Sequence, residues 1–467
     1  MSPRSVNAAG SGFNSPWQDP VASAFRRTCD GCLQERLREF RRRFACVAIF
    51  VVLAPAGAAA QGPTGHVAVF LDYVPNRDDT VELRSRVFLE ESFEPAANVR
   101  VRASGFAEGL LARRPERVTT GILRVQDASV EWRRGPLDLT AGFARVVWGT
   151  LDEVQPTDVV NPLDVSRFFF EGRNEARLPV ALVRGRWYPS ASMTVEGIYV
   201  PVFRRGRFDQ LDEPTSPFNL AELAAPAVPC AGEACGPTEV AIVEREPAVT
   251  LRNAQGGARV TVTAGRADLS VIVYRGFEPF ALYRLPPQAV PAPVLEVETT
   301  HPRFTLIGAD FETVRGPWAM RAEVAATPEG AFQSFDVTAV PGRSFEAGAG
   351  IDRRAGAYTI SGTVLFQRES YDEPLVRADG TNDDGRQDVS FIGSADRTFA
   401  RERFRLRTFG LYNATERTTF LRVIATTSLR DNLTLEASVG WFAGTGEGFV
   451  GRYSRNDFGY LRLRHDF

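Results

Sequence analysis

Lysine does not occur in this chain of 467 residues, and only 3 histidines, 3 methionines and 5 cysteines do. All 55 basic residues are therefore arginine, a usage that a GC-rich genome produces unaided. The histidines, His66, His301 and His465, lie far apart, which limits metal-site and histidine-base chemistry. No metal, cofactor or catalytic residue is expected. A basic excess is also missing: 57 acidic residues leave a net charge of −2, and a general nucleic-acid binder shows the opposite balance. After residue 60 no apolar run reaches the about 18 residues that a membrane-spanning helix needs. Nor does a repeat of blade length occur, which counts against a propeller. Phenylalanine, by contrast, is plentiful at 33 residues, within an ordinary apolar content of 44%.

One short apolar run stands near the start. Arg41, Arg42 and Arg43 precede the stretch Phe44 to Leu53; Pro55 and Gly57 break it, and Ala58-Ala59-Ala60 supplies small residues for cleavage. Residues 41–60 read as a secretory signal peptide of the Sec type, cut before Gln61, and residue 61 is not the Cys that lipoprotein processing requires. Residues 1–40 are polar and poorly ordered in character, and a mis-assigned start codon accounts for them more simply than a functional domain. Cleavage removes more arginine than acid and leaves an acidic mature chain. It also removes Cys29, Cys32 and Cys46. Cys29-Asp-Gly-Cys32 has the spacing of a redox or zinc pair, but no second pair or nearby His completes it. Cys230 and Cys235, close together in a Pro-rich loop of an exported chain, are expected to form a local disulfide.

From Val81 onward the pattern is alternation. Leu433, Leu435, Ala437, Val439 and Trp441 share one face of a strand, and Thr434, Glu436, Ser438 and Gly440 the other. Val81, Leu83, Ser85, Val87 and Leu89 oppose Glu82, Arg84, Arg86 and Glu90; Phe404, Leu406 and Thr408 oppose Arg403, Arg405 and Arg407. A period of two belongs to strands whose faces meet different surroundings. At the end, Leu461, Leu463, His465 and Phe467 alternate with Tyr460, Arg462, Arg464 and Asp466. An alternating segment that stops on an aromatic residue resembles the closing strand of a bacterial outer-membrane β-barrel. That resemblance makes Leu461, Leu463, His465 and Phe467 a signal for the barrel-assembly machinery, with periplasmic chaperones as earlier partners.

Tight-turn chemistry recurs at Glu94-Pro95 with Asn98, Arg134-Gly135-Pro136, Gly265-Arg266, Arg315-Gly316-Pro317, Arg353 to Gly356 and Arg430-Asp431-Asn432. Longer connections are read at 107–124, 147–176, 203–254, 277–300, 327–343, 369–387 and 444–455. Short turns on one rim and long loops on the other describe an antiparallel transmembrane β-barrel, residues 61–467. About 18 ten-residue strands are counted; 16 is the alternative, the uncertain segment being His66 to Val74. Short turns would face the periplasm and long loops the outside. The expected surroundings are outer-membrane lipid and lipopolysaccharide.

If apolar faces meet lipid, polar faces line the lumen. The expected lining is Arg84, Arg86, Arg100, Arg102, Arg133, Arg321, Glu323, Arg403, Arg405, Arg407 and Glu436. Buried charges need pairing or water, so such a wall implies a wet interior. Two readings stand side by side. Free guanidinium groups would attract a small polar or anionic solute, whereas Arg–Glu ladders would support the barrel and select nothing.

The most distinctive connection holds Trp148-Gly149, then Asp158-Val159-Val160-Asn161-Pro162-Leu163-Asp164, then Arg177-Leu178-Pro179. With Gly257-Ala258-Arg259, the stretch from His301 to Asp310, and Trp318 to Glu323, it is similar to a family of uncharacterised outer-membrane barrels akin to porins and alginate-export channels. The resemblance implies a passive pore and supplies no substrate. Asp158 and Asp164 suit caps of short helical turns, and Asn161-Pro162 suits a turn between them. Trp148, Asp152, Glu153, Asp158, Asn161, Asp164 and Arg167 are expected on a loop that narrows the channel; a cap on the outer rim is the alternative.

An outer-membrane diffusion or export channel is thus the expected function, with a surface adhesive barrel as the alternative. A barrel lipase would need Ser, His and a carboxylate or amide together, and no Gly-x-Ser-x-Gly elbow occurs. An energy-coupled receptor would need a plug domain before the first strand, and an insertion factor would need periplasmic domains.

Overall fold

The computed structural model describes residues 62–77, 79–113, 117–165, 170–207, 239–287, 294–377, 380–444 and 450–467. The expected signal segment, the residues before it, Arg167 and the Cys230/Cys235 pair lie outside these. In chain order the strands are β1 (Thr64–Val74), β2 (Thr80–Ala96), β3 (Val99–Arg113), β4 (Arg117–Arg134), β5 (Leu137–Ala144), β6 (Val180–Ser190), β7 (Met193–Val200), β8 (Glu239–Val243), β9 (Gln255–Ala264), β10 (Ala267–Phe277) and β11 (Leu282–Arg284). They continue with β12 (Val294–Thr300), β13 (Arg303–Arg315), β14 (Trp318–Gln333), β15 (Ala339–Ala355), β16 (Tyr358–Val376), β17 (Asn382–Phe399), β18 (Phe404–Asn413), β19 (Thr418–Arg430), β20 (Leu433–Ala443) and β21 (Phe458–Asp466). A four-residue helix, α1 (Arg173–Ala176), lies between β5 and β6.

Eighteen of these form one closed antiparallel barrel. Each pairs with its neighbour along the chain, with β8, β11 and β12 left out. β21 then returns to β1 in a register running from His66↔Asp466 to Tyr73↔Gly459. The segment His66 to Val74 is therefore the strand that closes the ring, and the barrel sheet has no open edge. Both described ends meet on the rim of tight turns, where Phe467 and Gly65 exchange two main-chain hydrogen bonds of 3.0 Å.

The burial pattern is inside out. Along β1, Val67, Val69, Leu71 and Tyr73 are exposed while Ala68, Phe70, Asp72 and Val74 are buried. Along β2, Val81, Leu83 and Val87 face out while Glu82, Arg84 and Arg86 are buried. Leu461, Leu463 and Phe467 point outward from β21, as do Val439 and Trp441 from β20. Exposed aromatics gather near both rims: Trp187, Trp318, Tyr358, Phe399 and Phe404 toward the tight turns, Tyr73, Tyr199, Tyr412 and Trp441 toward the other end. An apolar band between two aromatic girdles is the surface such a barrel presents to lipid.

Local chemistry sets the turns. Gly135, Gly265, Gly316 and Gly356 each open a two-residue connection at φ between +57° and +67°, the left-handed backbone that primed hairpin turns require and glycine supplies without steric cost. Three connections expected as long loops turn out to be mostly strand. β3 and β4 reach to Arg113 and from Arg117, β14 and β15 to Gln333 and from Ala339, β16 and β17 to Val376 and from Asn382. A membrane needs only about 9–11 residues of tilted strand; beyond the lipid both faces are wet, so alternation fades while the hydrogen-bond ladder continues.

Within the ring two apolar clusters gather toward the loop side. Val146, Trp148 and Val160 of the β5–β6 connection pack with Ile198, Ile272, Tyr274, Phe304 and Leu306 on inward wall positions. Val165 and Phe170 pack with Phe409, Phe420, Phe442, Phe458 and Tyr460.

Candidate functional site: a loop across the lumen

The β5–β6 connection enters the barrel over its described residues, 145–165 and 170–179, and its own side chains explain its shape. Asn161 ties both ends together: its Oδ1 accepts from Val146 N at 2.7 Å, and its Nδ2 donates to Leu178 O at 2.7 Å and Ala144 O at 3.3 Å. The Asp158 carboxylate, expected to cap a helical turn, instead accepts from Arg177 Nε at 2.8 Å and from the Arg173 guanidinium at 3.3 Å. Arg177 is itself buried and also donates to Gln155 and Asn174. Gly149 leaves room for Gln155, whose Cβ would lie 2.4 Å from an added side chain. A buried arginine with all three guanidinium nitrogens engaged rigidifies its surroundings.

Anchors on opposite walls hold this folded loop. Glu323 on β14 is buried, and its Oε1 accepts from Thr150 N at 2.5 Å and Leu151 N at 2.6 Å. Its Oε2 accepts from Thr157 N at 3.1 Å and Thr157 Oγ1 at 2.8 Å. Beside it, Leu151 seats over Gly348 and Gly350 of β15, where an added Cβ would come within 2.5 Å and 3.0 Å of it. Half the circumference away, Glu171 pairs with Arg86 at 2.6 Å and Arg84 at 3.5 Å on β2. Between these points, Asp164 meets Arg124 of β4 at 2.5 Å, Trp148 Nε1 donates to Glu196 of β7 at 2.5 Å, and Glu153 meets Arg407 of β18 at 3.0 Å. Arg422 of β19 donates to Phe170 O at 2.9 Å. A segment fastened to walls nine strands apart in either direction spans the lumen.

The wall arginines named from sequence are engaged. Arg84 binds Asp72 at 2.6 Å, and Arg86 binds Glu108. Arg100 meets Glu94 at 2.6 Å, Arg102 meets Glu131 at 3.7 Å, and Arg133 meets Glu131 at 3.3 Å. Arg321 sits among Glu312, Asp352 and Asp152. Arg405 pairs with Asp396 at 2.5 Å, while Glu436 takes Arg462 at 2.7 Å and the Tyr460 hydroxyl at 2.6 Å. Arg403 lies in the exposed β17–β18 turn, where its Nε donates to Ser428 O at 3.3 Å. The inward faces therefore carry a ladder of alternating charge.

Burial shapes the loop's titration. It pushes the Glu153 carboxyl up against the pull of Arg407, and with Asp352 it pushes Asp152 up as well. Arg204, which donates to Pro179 O at the loop's exit, is lowered by burial to about 10. The three histidines stand apart. His66 stacks on Phe88, His301 Nδ1 meets Glu278 O at 2.8 Å in the β10–β13 connection, and His465 is exposed on the outer face of β21. Sequence reasoning missed Glu171, Glu196 and Gln155 as loop anchors; only their proximity in the fold reveals them.

The chain belongs to the family described as a protein of unknown function (DUF1302), whose model matches residues 123–456. None of the curated proteins matches the sequence. Among solved structures it is similar to Pseudomonas aeruginosa OccK5 (OpdH), 9% identical with a TM-score of 0.47, covering 87% of this chain and 96% of that one. It is also similar to Acinetobacter baumannii OccAB3, 10% identical with a TM-score of 0.46, covering 87% and 99%. Salmonella typhi OmpF, in complex with daunomycin, is 8% identical with a TM-score of 0.44, covering 87% and 97%. Likeness at this level says nothing of a passenger, and the barrel rests on its own closed ladder.

Proposed function

We propose that this chain is an outer-membrane channel whose lumen is narrowed by an inserted loop and passes small polar solutes. The observation that carries this reading is the connection 145–179, fastened at Glu323 on one wall and at Arg84 and Arg86 on the opposite one. An adhesive loop would gain nothing from being drawn inside a barrel. Wall arginines paired with carboxylates favour the charge-ladder reading over anion attraction, because a guanidinium already bound in two directions has little left to offer a passing anion. The lining assigned to the path is Arg86, Arg102, Arg133, Arg321, Arg405, Arg407 and Glu436. Trp148, Asp152, Asp158, Asn161 and Asp164 belong to the constricting loop.

Planar-bilayer recording of the purified, refolded chain tests this. Discrete conductance steps with weak ion selectivity are expected; persistent silence across preparations of correctly folded barrel overturns the proposal.

A further inference from the structure

Three arginines stand together on the outside of the barrel, at its loop end. On β10 the exposed Val271, Val273 and Arg275 alternate with the buried Ile272 and Tyr274, so Arg275 points away from the lumen. In the ladder to β13, Arg275 lies opposite Thr305 and Phe277 opposite Arg303, so Arg303 shares that outer face. The Arg303 guanidinium sits 4.3 Å from the Phe277 ring and donates to Arg252 O at 2.7 Å. Arg252 belongs to the helical turn Leu251–Asn253 that leads into β9. Arg252, Arg275 and Arg303, with Thr250 and Asn253, line one open cleft of about 600 Å³. No acidic residue lines it, and none of the three arginines forms an ion pair with a described residue. Arg275 donates to Thr305 Oγ1 at 3.1 Å, and the charges that act on Arg303 are those of Arg275 and Arg252, all of one sign.

Like charges gathered in one cleft repel, and an anion relieves them. Depth in the membrane says where that anion comes from. Through Gly256 of β9, Arg275 is level with Tyr199 of β7, one of the outward aromatic rings, and such rings sit at the height of lipid headgroups. One step toward the middle of the bilayer, the exposed Val273 and Ile307 face each other in the apolar band. Val249 and Leu251 flank Thr250 at the cleft and, at 72% and 88%, are the most exposed large apolar side chains among the described residues. We infer that this cleft binds a phosphomonoester-bearing lipid headgroup in the leaflet on the loop side, its phosphate on Arg252, Arg275 and Arg303 and its apolar part against Val249, Leu251 and the strand face below. Guanidinium groups donate in pairs to phosphate oxygens, and three of them match a dianion better than the single charge of a phosphodiester. The cleft is larger than phosphate alone and falls within the roughly 300–1,000 Å³ of ligand sites.

The cleft lies outside the lumen, so this inference does not depend on conduction. Native mass spectrometry of the full, refolded chain in detergent, titrated with dioleoylphosphatidic acid, should show a retained lipid. Dioleoylphosphatidylcholine should not be retained, and dioleoylphosphatidylglycerol should bind more weakly. Inorganic phosphate at the same concentration should not displace the phosphatidic acid. The double variant Arg275→Gln/Arg303→Gln should weaken phosphatidic acid by roughly thirtyfold at low salt, the loss expected for two charges at a membrane surface. Arg266→Gln, in the β9–β10 turn at the opposite rim, should bind as the parent does. Each variant should keep the heat-modifiable gel mobility of the folded barrel. No retained lipid, equal retention of phosphatidylcholine, phosphatidylglycerol as tight as phosphatidic acid, displacement by inorganic phosphate, or full affinity in the double variant overturns the assignment. A barrel that holds phosphatidic acid yet stays silent in bilayers sinks the channel reading alone; one that conducts but holds no such lipid sinks this site alone.

Discussion

Replacing Glu323 by glutamine separates the loop from the wall without touching the ladder that makes the barrel. The side chain takes five hydrogen bonds of 2.5–3.3 Å from Thr150, Leu151 and Thr157. An amide of the same shape keeps one accepting oxygen and turns an NH2 group toward donors. The oxygen keeps the Thr150 and Leu151 N–H groups; the NH2 group then faces the Thr157 N–H, whose bond is lost, while the Thr157 hydroxyl turns to accept from it. A bond to a charged acceptor is worth about 1.5–3 kcal/mol and one to a neutral acceptor about 0.5–1.5 kcal/mol, so one bond lost and the others made neutral weaken docking of this turn by about 3–6 kcal/mol. At about 1.4 kcal/mol per factor of ten, the docked population falls against the undocked one by two to four orders of magnitude. Anchors such as Asn161 and Glu171 remain, so the loop should swing on its ends and not unfold. Bilayer recordings of Glu323→Gln should show larger, noisier steps than the parent. Limited trypsin digestion should cut after Arg173 or Arg177, sites now shielded within the lumen. Unchanged conductance and an unchanged digest, in a barrel of normal gel mobility, would refute the claim that Glu323 holds a constriction.

Gly348→Val should expel Leu151 from its socket, since even a Cβ there would meet Leu151 at 2.5 Å and Leu365 at 2.7 Å; larger steps with unchanged circular dichroism are the expected readout. Asn161→Ala removes three hydrogen bonds that close the loop's neck, two of them at 2.7 Å, and should cost about 2–3 kcal/mol, seen as a lower urea midpoint in local protection of residues 145–179 by hydrogen exchange. Phe467→Ala removes the aromatic that follows β21 and should lower the yield of correctly inserted barrel in cells while leaving the stability of inserted molecules nearly unchanged. Burial pushes the Glu278 carboxyl up to about 7. The fold therefore favours its acid form, and that contribution is present below the ordinary carboxylate range and is lost as pH rises toward 7. Urea midpoints should fall between pH 5 and pH 8 by the equivalent of about 1–3 kcal/mol, and Glu278→Gln should flatten the fall; an equal fall in the variant would exclude Glu278 as its source.

The barrel was legible because its signal is local. Whether Leu461 or Arg462 faces lipid is decided by the pleat and the neighbouring residue, so alternation within a ten-residue window suffices. The lumen is not local: Glu323 meets residues 166 to 173 positions away. Indirect traces of the loop were nonetheless present. Val69-Phe70-Leu71, Phe420-Leu421, Trp441-Phe442 and Val271-Ile272-Val273-Tyr274 break the alternation, and in each the inward member is buried: Phe70, Phe420, Phe442, Ile272 and Tyr274. A wall that is apolar on both faces is a wall with something packed inside it. The pair Gly348 and Gly350, two apart on one inward face, marks a surface cut away to admit a side chain. The apparent surplus of arginine on the lumen face has a similar explanation. The arginines fall in conspicuous alternating runs, such as Arg403-Phe404-Arg405-Leu406-Arg407, whereas their partners are dispersed singly at Asp72, Glu108, Glu171, Glu312, Asp352 and Asp396 on other strands and on the loop. Counting charge along strands therefore overstates the positive field inside a barrel whose charges are balanced between strands.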